Sequence, residues 1–596
     1  MCLPNISTRP RPGLSRIMRF LVLLACLVLV AASGALCLLL GPVPYAKLYA
    51  IGHSLYLDDT FARLPSALTP ARFAGLRGLL FGVLGFSTLG AILLLRQPEY
   101  WQELRLLGQE MGSSGRKLAS TVRLLSMMEK AGGAGLLALV LAARGLVLLR
   151  YGFRYDELQS YLFFVREGPA ATACFYPLPN NHVFFNLCCT LLAPVLGHEQ
   201  PMLLMRLPSY LVAAAGTALS YAVLTRFTNF RLATLVTGLF SLSPPALYYA
   251  AMGRGYYLQF VLMQLGFFAA VHLGAGGRYQ RLGWLVFIGS GILGLYTIPT
   301  YAFPLASLVA GQALVLRLNG GRPLAPLLLA TVVIGVTTAL LYAPVGAVSG
   351  WPRLLANQYV SPLPWTAFRH LALANVYEKI QEQFGLVRPV LLLGAALLAG
   401  TPLLLLRGQL RPLERSLAGI TWAMLVMPMV VVVAQRTYPP TRAVVYLTYF
   451  GYLLAALGVW FVATRWQGRP WRGRWQWALI GAFVLGAAGL RFDDVLARIR
   501  SSQHEEVQLT AAWRWLRARH PQSVLAGSYQ LFFYFYAVQD RQRVVLADQP
   551  ISGRCFDYLI LPPNPAQGPD WTPLLAPRPA FRNDLVSIYF FPPGSH

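Results

Sequence analysis

Long apolar segments recur along the chain, and this feature constrains the fold more than any other. Most of these segments hold about 18 or more mostly apolar residues, the length that a helix needs to cross a bilayer core of about 30 Å. Only 12% of the 596 residues are charged, whereas soluble proteins average about 25%. The sequence therefore predicts an α-helical polytopic membrane protein with about 13 transmembrane helices. We place them near residues 17–40, 73–96, 132–150, 205–225, 232–250, 256–274, 283–301, 303–317, 324–344, 388–407, 418–435, 443–464 and 476–490.

The charged residues are strongly unbalanced, with 50 lysines and arginines against 22 aspartates and glutamates and a net charge of +28. In a soluble protein such an excess would indicate nucleic-acid binding. The chain has neither a zinc finger nor an RNA-binding aromatic motif, so nucleic acid is not an expected partner. In a membrane protein, basic residues collect in cytoplasmic loops and attract anionic lipid. The excess therefore indicates the lipid bilayer as a partner.

The basic residues also predict an orientation. One alternate set of connections is basic, including 97–131, "RFTNFR", "RLNGGR" and "RWQGRPWRGRW". The opposite set, including 151–204 and 345–387, is longer and richer in Pro, Tyr and acids. Because cytoplasmic loops carry the excess of Lys and Arg, the first set is expected inside and the second outside. We expect a multi-pass plasma (inner) membrane protein with a cytoplasmic N-terminus, its first apolar segment being a retained signal anchor.

Three regions are expected along the chain. Residues 1–131 form an N-terminal extension with two transmembrane helices and a cytoplasmic loop, and residues 132–490 form a transmembrane core with the outer loop 151–204. Within that loop, the apolar stretch 182–197 is short and is expected to lie on the outer surface. Residues 491–596 contain a helical segment, "VQLTAAWRWLRARH", and short β-like runs such as "SVLAGSY" and "FDYLILP". They predict a small soluble α/β domain on the extracytoplasmic side.

Two adjacent acids follow the third apolar segment, in "YGFRYDELQSY". On a helix the side chains of Asp156 and Glu157 diverge by about 100°, so they are not expected to act as a carboxylate pair. One could face a cavity as a general base while the other pairs with a neighbour such as Arg154. Alternatively, both are solvated acids in the first turn of a helix, where they complement its dipole.

Further polar residues stand where loops meet apolar segments. Asn180, Asn181 and His182 stand at the start of the stretch 182–197 and are candidates for helix capping or for recognition of a sugar. Arg254 lies among tyrosines in "SPPALYYAAMGRGYY", and Arg442 follows two prolines in "QRTYPPTRAVVY". Such arginines either bind a lipid-linked phosphate or extend toward lipid headgroups. We find no HxxxH or HExxH pattern that would indicate a metal site.

Taken together, the acid pair, "NNH", "RLPS" (206–209), "SPPALYYAAMGRGYY" and "PPTR" resemble the motifs of a known group. The sequence resembles the GT-C superfamily of polytopic glycosyltransferases over about residues 132–465. Within this superfamily it is most similar to the branch that resembles glycosyltransferase family 39. This branch contains the protein O-mannosyltransferases and the aminoarabinose transferases. The resemblance implies a membrane enzyme that moves a sugar from a polyprenyl-phosphate donor to an acceptor on the outer face.

The resemblance also implies roles for individual residues. Asp156 would be the catalytic carboxylate, supported by Glu157. Arg254 and Arg442 would contact the phosphate. The remaining substrate-binding residues would be Asn181, His182 and Tyr256. No cofactor is implied with certainty, and a divalent metal ion is left open.

Some features leave the function open. Many members of the branch carry His-Pro-Pro where this chain reads Asn180 to Val183, so neither the sugar nor the acceptor (protein, lipid or glycan) is identified. Arg77 and Arg144 fall inside predicted transmembrane helices, and ionisable residues there also suit a transporter or flippase. A lipid-linked glycan polymerase is the third alternative.

Overall fold

A computed structural model describes residues 14–54, 68–177, 179–355, 361–385, 387–407, 410–466, 475–547, 555–563 and 578–591. These residues form 22 α-helices and one five-stranded sheet. The helices are α1 Leu14–Leu40, α2 Tyr45–Ser54, α3 Pro70–Leu95, α4 Pro98–Arg123, α5 Met127–Arg150, α6 Tyr155–Ser160, α7 Pro169–Cys174, α8 Val183–Leu196, α9 Pro201–Phe227, α10 Phe230–Ser241, α11 Pro244–Ala251, α12 Tyr256–Gly274, α13 Gln280–Thr297, α14 Ala302–Leu318, α15 Ala325–Val348, α16 Trp351–Leu355, α17 Trp365–Phe384, α18 Val387–Leu406, α19 Pro412–Gln435, α20 Tyr446–Trp466, α21 Trp475–Arg517 and α22 Gln530–Gln539.

Within the described residues, nine helices are long and apolar enough to cross a membrane. They are α1, α3, α5, α9, α12, α14 with its short lead-in from Pro299, α15, α18 and α19. The prediction of a polytopic helical membrane protein is therefore confirmed. The other four predicted segments fall on α10 with α11, on α13, on α20 and on the first part of α21, which are broken, short or only partly apolar.

The apolar segment predicted as one helix near 232–250 is divided in the structure. Helix α10 ends at Ser241 and α11 begins at Pro244. Proline has no backbone N–H and disfavours a helical conformation in the residue before it. Ser243 accordingly adopts an extended backbone, with φ −69° and ψ 144°. The break places a short second helix directly before the loop that carries Arg254.

The N-terminal extension predicted for residues 1–131 packs into the core. Helix α1 lies along α3 and α15, and the segment predicted as a cytoplasmic loop contains the 26-residue helix α4. One face of α4 carries Glu103 and Glu110, which form salt bridges with Arg281 at the start of α13 (2.5 and 3.1 Å). These buried ion pairs join the extension to the core.

The C-terminal region is a small α/β domain, as predicted. Its strands are β1 Ser523–Ala526, β2 Val545–Ala547, β3 Tyr558–Leu561, β4 Phe581–Arg582 and β5 Ser587–Phe590, in the order β2-β1-β3-β5-β4. Strands β1, β2 and β3 are parallel, whereas β5 is antiparallel to β3 and β4. The helix predicted from "VQLTAAWRWLRARH" is not a separate element, because it is the end of the 43-residue helix α21.

Candidate active site

The acid pair lies on a short helix that follows α5. Helix α5 ends at Arg150, four residues run in non-helical conformation, and α6 then begins at Tyr155. The carboxylate of Glu157 accepts a hydrogen bond from the backbone N–H of Arg154 (3.0 Å), which stabilises the first turn of α6. A π-helical turn, Tyr161–Val165, continues from α6. Polar side chains from α9, from the loop before α8 and from the loop after α11 converge on this helix.

Glu157 forms a fully buried ion pair with Arg206. The guanidinium donates from Nε to Oε1 (2.9 Å) and from Nη2 to Oε2 (2.7 Å), and both side chains are at most 1% exposed. Oε1 also accepts the backbone N–H of Gly253 (2.6 Å). Arg206 donates further to the carbonyl oxygens of Leu148, Tyr151 and Gly152. Glu157 lies on α6, Arg206 lies on α9, and the three carbonyl groups lie at or just after the end of α5. The ion pair therefore fixes the connection between these three helices.

Asp156 has a different environment from its neighbour. Its side chain is 36% exposed, and its Oδ2 lies 3.7 Å from Nη1 of Arg442, whose side chain is 38% exposed. Arg442 belongs to the connection between α19 and α20, so the ion pair joins two distant parts of the chain. This carboxylate and this guanidinium are both accessible to a ligand.

Arg254 lies behind Asp156 and is 1% exposed. Its Nη1 donates to the backbone carbonyl of Asp156 (2.9 Å), to Ser160 Oγ (2.5 Å) and to the backbone carbonyl of Asn180 (3.1 Å). Its Nη2 donates to the side-chain oxygen of Asn180. Arg254 thus holds α6 against the loop before α8, and its predicted contact with a phosphate stays a prediction.

His182 is buried beside Arg254. Its Nδ1 accepts the backbone N–H of Gly255 (2.9 Å), and its Nε2 lies 3.0 Å from Nη2 of Arg254. Both ring nitrogens therefore face donors, which disfavours a second proton on the ring. Burial, together with the charges of Arg254 and Arg442, holds the pKa of His182 well below its usual range. The ring packs edge-to-face on Tyr256, with 4.7 Å between ring centroids.

Asn181 points away from this cluster. Its side-chain nitrogen donates to the carbonyl oxygens of Thr172 and Phe175 (both 2.8 Å), and its oxygen accepts from Asn186 (2.9 Å). These bonds hold the loop before α8 in place. The role of Asn181 in substrate binding stays a prediction. The neighbouring Asn180 is the residue that contacts Arg254.

A small open cavity lies next to Arg442. Half of its lining residues are aromatic, and these include Tyr249, Tyr256, Phe260 and Tyr446. Tyr256 packs on Tyr249, with 5.3 Å between ring centroids. The Asp156–Arg442 pair thus stands beside a cavity whose walls suit a sugar ring or an apolar chain.

The structure brings together most of the predicted site residues, and it adds three to which the resemblance assigns no role. Asp156, Glu157, His182, Arg254, Tyr256 and Arg442 lie in one contiguous network. Arg206, Asn180 and Ser160 complete it. Arg206 carried a usable signal, because an arginine within an apolar segment requires a buried partner. Ser160 carried none, since a serine in a polar loop is unremarkable by sequence.

No metal site emerges from the part of the chain that the structure describes. There, no group of three or more His, Cys, Asp or Glu side chains is placed to hold an ion. The charged side chains described at the site are the Asp156–Arg442 and Glu157–Arg206 pairs and Arg254.

The fold and the site define a multi-pass membrane protein with a half-exposed ion pair beside an aromatic cavity. No protein-family model matches the sequence, and no curated protein is similar to it. Among solved structures, ArnT from Cupriavidus metallidurans bound to undecaprenyl phosphate is similar to this chain. The similarity covers 76% of this chain and 97% of that chain, with 15% sequence identity and a TM-score of 0.46. At this level of similarity, function must be inferred from the residues of the site.

Proposed function

We propose that this chain is a membrane glycosyltransferase that moves a sugar from a polyprenyl-phosphate donor to an acceptor on the outer face of the membrane. The observation that carries the proposal is the Asp156–Arg442 pair beside the aromatic cavity (Oδ2 to Nη1 3.7 Å). Transfer from a glycosyl phosphate requires a base near the acceptor and a cation near the departing phosphate. This pair supplies both, and both side chains are accessible.

The proposed step uses Asp156 and Arg442 directly. The acceptor hydroxyl oxygen bonds to the anomeric carbon, and the bond from that carbon to the phosphate oxygen breaks. The electron pair leaves with the polyprenyl phosphate, whose negative charge Arg442 stabilises. The proton of the acceptor hydroxyl passes to the carboxylate of Asp156. When the donor binds, the phosphate takes the place of Asp156 beside Arg442, which leaves the carboxylate to the acceptor.

The buried groups around this pair act by positioning. Arg254 binds the backbone carbonyl of Asp156 (2.9 Å) and Glu157 binds Arg206 (2.7 Å), so both hold α6 in place. The rings of Tyr256 and Tyr249 offer flat apolar faces on which a sugar can pack. A rigid site of this kind needs little rearrangement during the reaction, which favours catalysis by preorganised charge.

The test is transfer of label from a set of radiolabelled polyprenyl-phosphate sugars in membranes that contain the full chain. We expect Asp156→Asn to lower the transfer rate by about 100-fold or more, because the amide cannot accept the acceptor's proton. Glu199→Gln is the matched control, since Glu199 is an exposed acid of the region between α8 and α9. Full activity of Asp156→Asn at normal protein level would refute the assigned site.

A transporter or flippase is the second candidate, and one observation favours it. Arg144 is fully buried within the apolar helix α5 and bonds to Thr217 (2.9 Å) and Tyr257 (2.5 Å), which are neutral groups. A buried cation within a membrane-spanning helix often marks a path for an anion. If the wild type transfers sugar from none of the donors, movement of labelled polyprenyl phosphate between leaflets of proteoliposomes becomes the next measurement.

A further inference from the structure

We infer that the C-terminal α/β domain positions the acid-pair segment, which we define as residues 151–160. The domain would hold the carboxylate of Asp156 at the correct place relative to Arg442 and the cavity. The catalytic consequence rests on the proposed transferase function, whereas the positioning itself can be measured without any activity. The inference follows from three sets of contacts.

The first set joins the domain to the core. Helix α21 runs without interruption from Trp475 to Arg517 and is 43 residues long, which corresponds to about 65 Å. It packs against α11, where the hydroxyl of Tyr248 donates to the carbonyl oxygens of Asp494 and Val495 (both 3.3 Å). The guanidinium of Arg498 lies over the Tyr248 ring, 5.1 Å from its centroid. The domain is therefore joined to the core by a braced helix.

The second set joins α21 to the start of the acid-pair segment. The backbone N–H of Gly152 donates to Ser502 Oγ (3.0 Å), and Arg154 forms a salt bridge with Glu505 (2.5 Å). Ser502 and Glu505 are three residues apart and so share one face of the helix. The approach at Gly152 is close, because a Cβ there would lie 2.9 Å from the carbonyl oxygen of Ser502. Only glycine fits this contact without a shift of one of the two backbones.

The third set is aromatic and comes from α22 of the domain. The ring of Phe535 lies 5.6 Å from that of Phe153 and 6.3 Å from that of Tyr161, measured between centroids. Phe532 lies 6.3 Å from Tyr155 in the same way. These contacts bracket Asp156, since two of the partners precede it in sequence and one follows it. The domain thus holds α6 at both ends.

The core holds the opposite side of the same helix. Arg254 binds the carbonyl of Asp156 and Arg206 binds Glu157, both from the side of the membrane helices. Loss of the domain contacts would leave α6 held on one side only. A displacement of about 1 Å at a catalytic group can lower turnover by about 100-fold, so contacts that do not touch substrate can still decide the rate.

Hydrogen–deuterium exchange on the purified full chain tests the positioning directly. We expect Glu505→Gln to speed amide exchange in the acid-pair segment by about fivefold, as expected for loss of a half-buried salt bridge. Asp493→Asn is the matched control, because it removes the same charge from an exposed position on the same helix. Unchanged exchange in Glu505→Gln would overturn the inference, whatever the activity of the protein.

A double-mutant cycle then tests the consequence for turnover. If Arg154→Gln and Glu505→Gln act through one contact, the double variant should be no slower than the slower single variant. The turnover number should fall while the KM for the lipid donor stays the same, since Arg442 and the cavity are unaltered. Additive losses, or a rise in donor KM alone, would overturn the positioning role. A wild type that transfers no sugar would instead refute the proposed function and leave the exchange result standing.

Discussion

The two adjacent acids of the site differ completely in their surroundings. Glu157 is fully buried and bonded to Arg206 and to two backbone N–H groups, whereas Asp156 is 36% exposed. Helical geometry turns neighbouring side chains about 100° apart, and this separation directs one carboxylate into the core and the other toward the cavity. Asp156 is therefore the carboxylate that a substrate can reach. The partner of Glu157 is Arg206, although sequence proximity had suggested Arg154.

His182 makes the stability of the protein depend on pH. Its pKa in the folded protein lies well below the usual 6.5, because the ring is buried beside Arg254 and Arg442. Below pH 6.5 the unfolded chain takes up a proton that the folded chain does not, so the free energy of unfolding falls as pH falls. The loss is at most about 1.4 kcal/mol for each pH unit below 6.5.

The measurement is the thermal unfolding midpoint of the full chain in detergent between pH 7.5 and pH 5. We expect His182→Asn to flatten the decline relative to wild type, since the asparagine oxygen can still accept the N–H of Gly255 but does not titrate. The exposed His520 provides the control, and His520→Asn should retain the wild-type slope. Equal slopes in all three proteins would mean that His182 takes up its proton as readily when folded as when unfolded.

Among the elements, helix α4 has a structural role that the sequence does not predict. Its residues are polar enough to look like a cytoplasmic loop, and only the structure shows that Glu103 and Glu110 pair with Arg281, more than 170 residues away. Similarly, α21 was divided into a membrane helix and a soluble helix because its composition changes midway. Long apolar segments predicted the membrane helices, and β-like runs between turn residues predicted most of the strands of the tail. Pairing between distant polar residues leaves no periodic signal.

The α4 contact predicts a large cost for removing Arg281. Arg281→Met would leave two buried carboxylates without their guanidinium, and breaking a buried ion pair costs about 3–5 kcal/mol. Arg278→Met is the matched control, because Arg278 is an exposed arginine three residues earlier. We expect a clear fall in the unfolding midpoint of Arg281→Met in detergent and little change in Arg278→Met. Equal midpoints would indicate that the ion pairs of Arg281 contribute nothing to the stability of the protein.

At the scale of the whole molecule, the candidate site depends on segments that are far apart in sequence. Helix α6 supplies the acid pair. It contacts three other parts of the site, which are the loop after α11, the connection before α20 and the C-terminal domain. The motifs identified the parts, but they could not show that Asn180 faces the site while Asn181 faces away. That distinction depends on backbone direction within one loop, which sequence does not determine.

The orientation of the whole chain in the membrane is a prediction that one cysteine can test. Cys555 is exposed in the C-terminal domain, whereas the other five described cysteines are buried or half-buried. If the basic connections face the cytoplasm, Cys555 lies outside. A membrane-impermeant maleimide should then label right-side-out vesicles of the wild type but not of Cys555→Ser. Ala119→Cys in a Cys2→Ser, Cys555→Ser background places a thiol at an exposed position of α4 and should be labelled only after permeabilisation. The reverse pattern would place the acid pair and the C-terminal domain in the cytoplasm, and sugar transfer on the outer face would then be excluded.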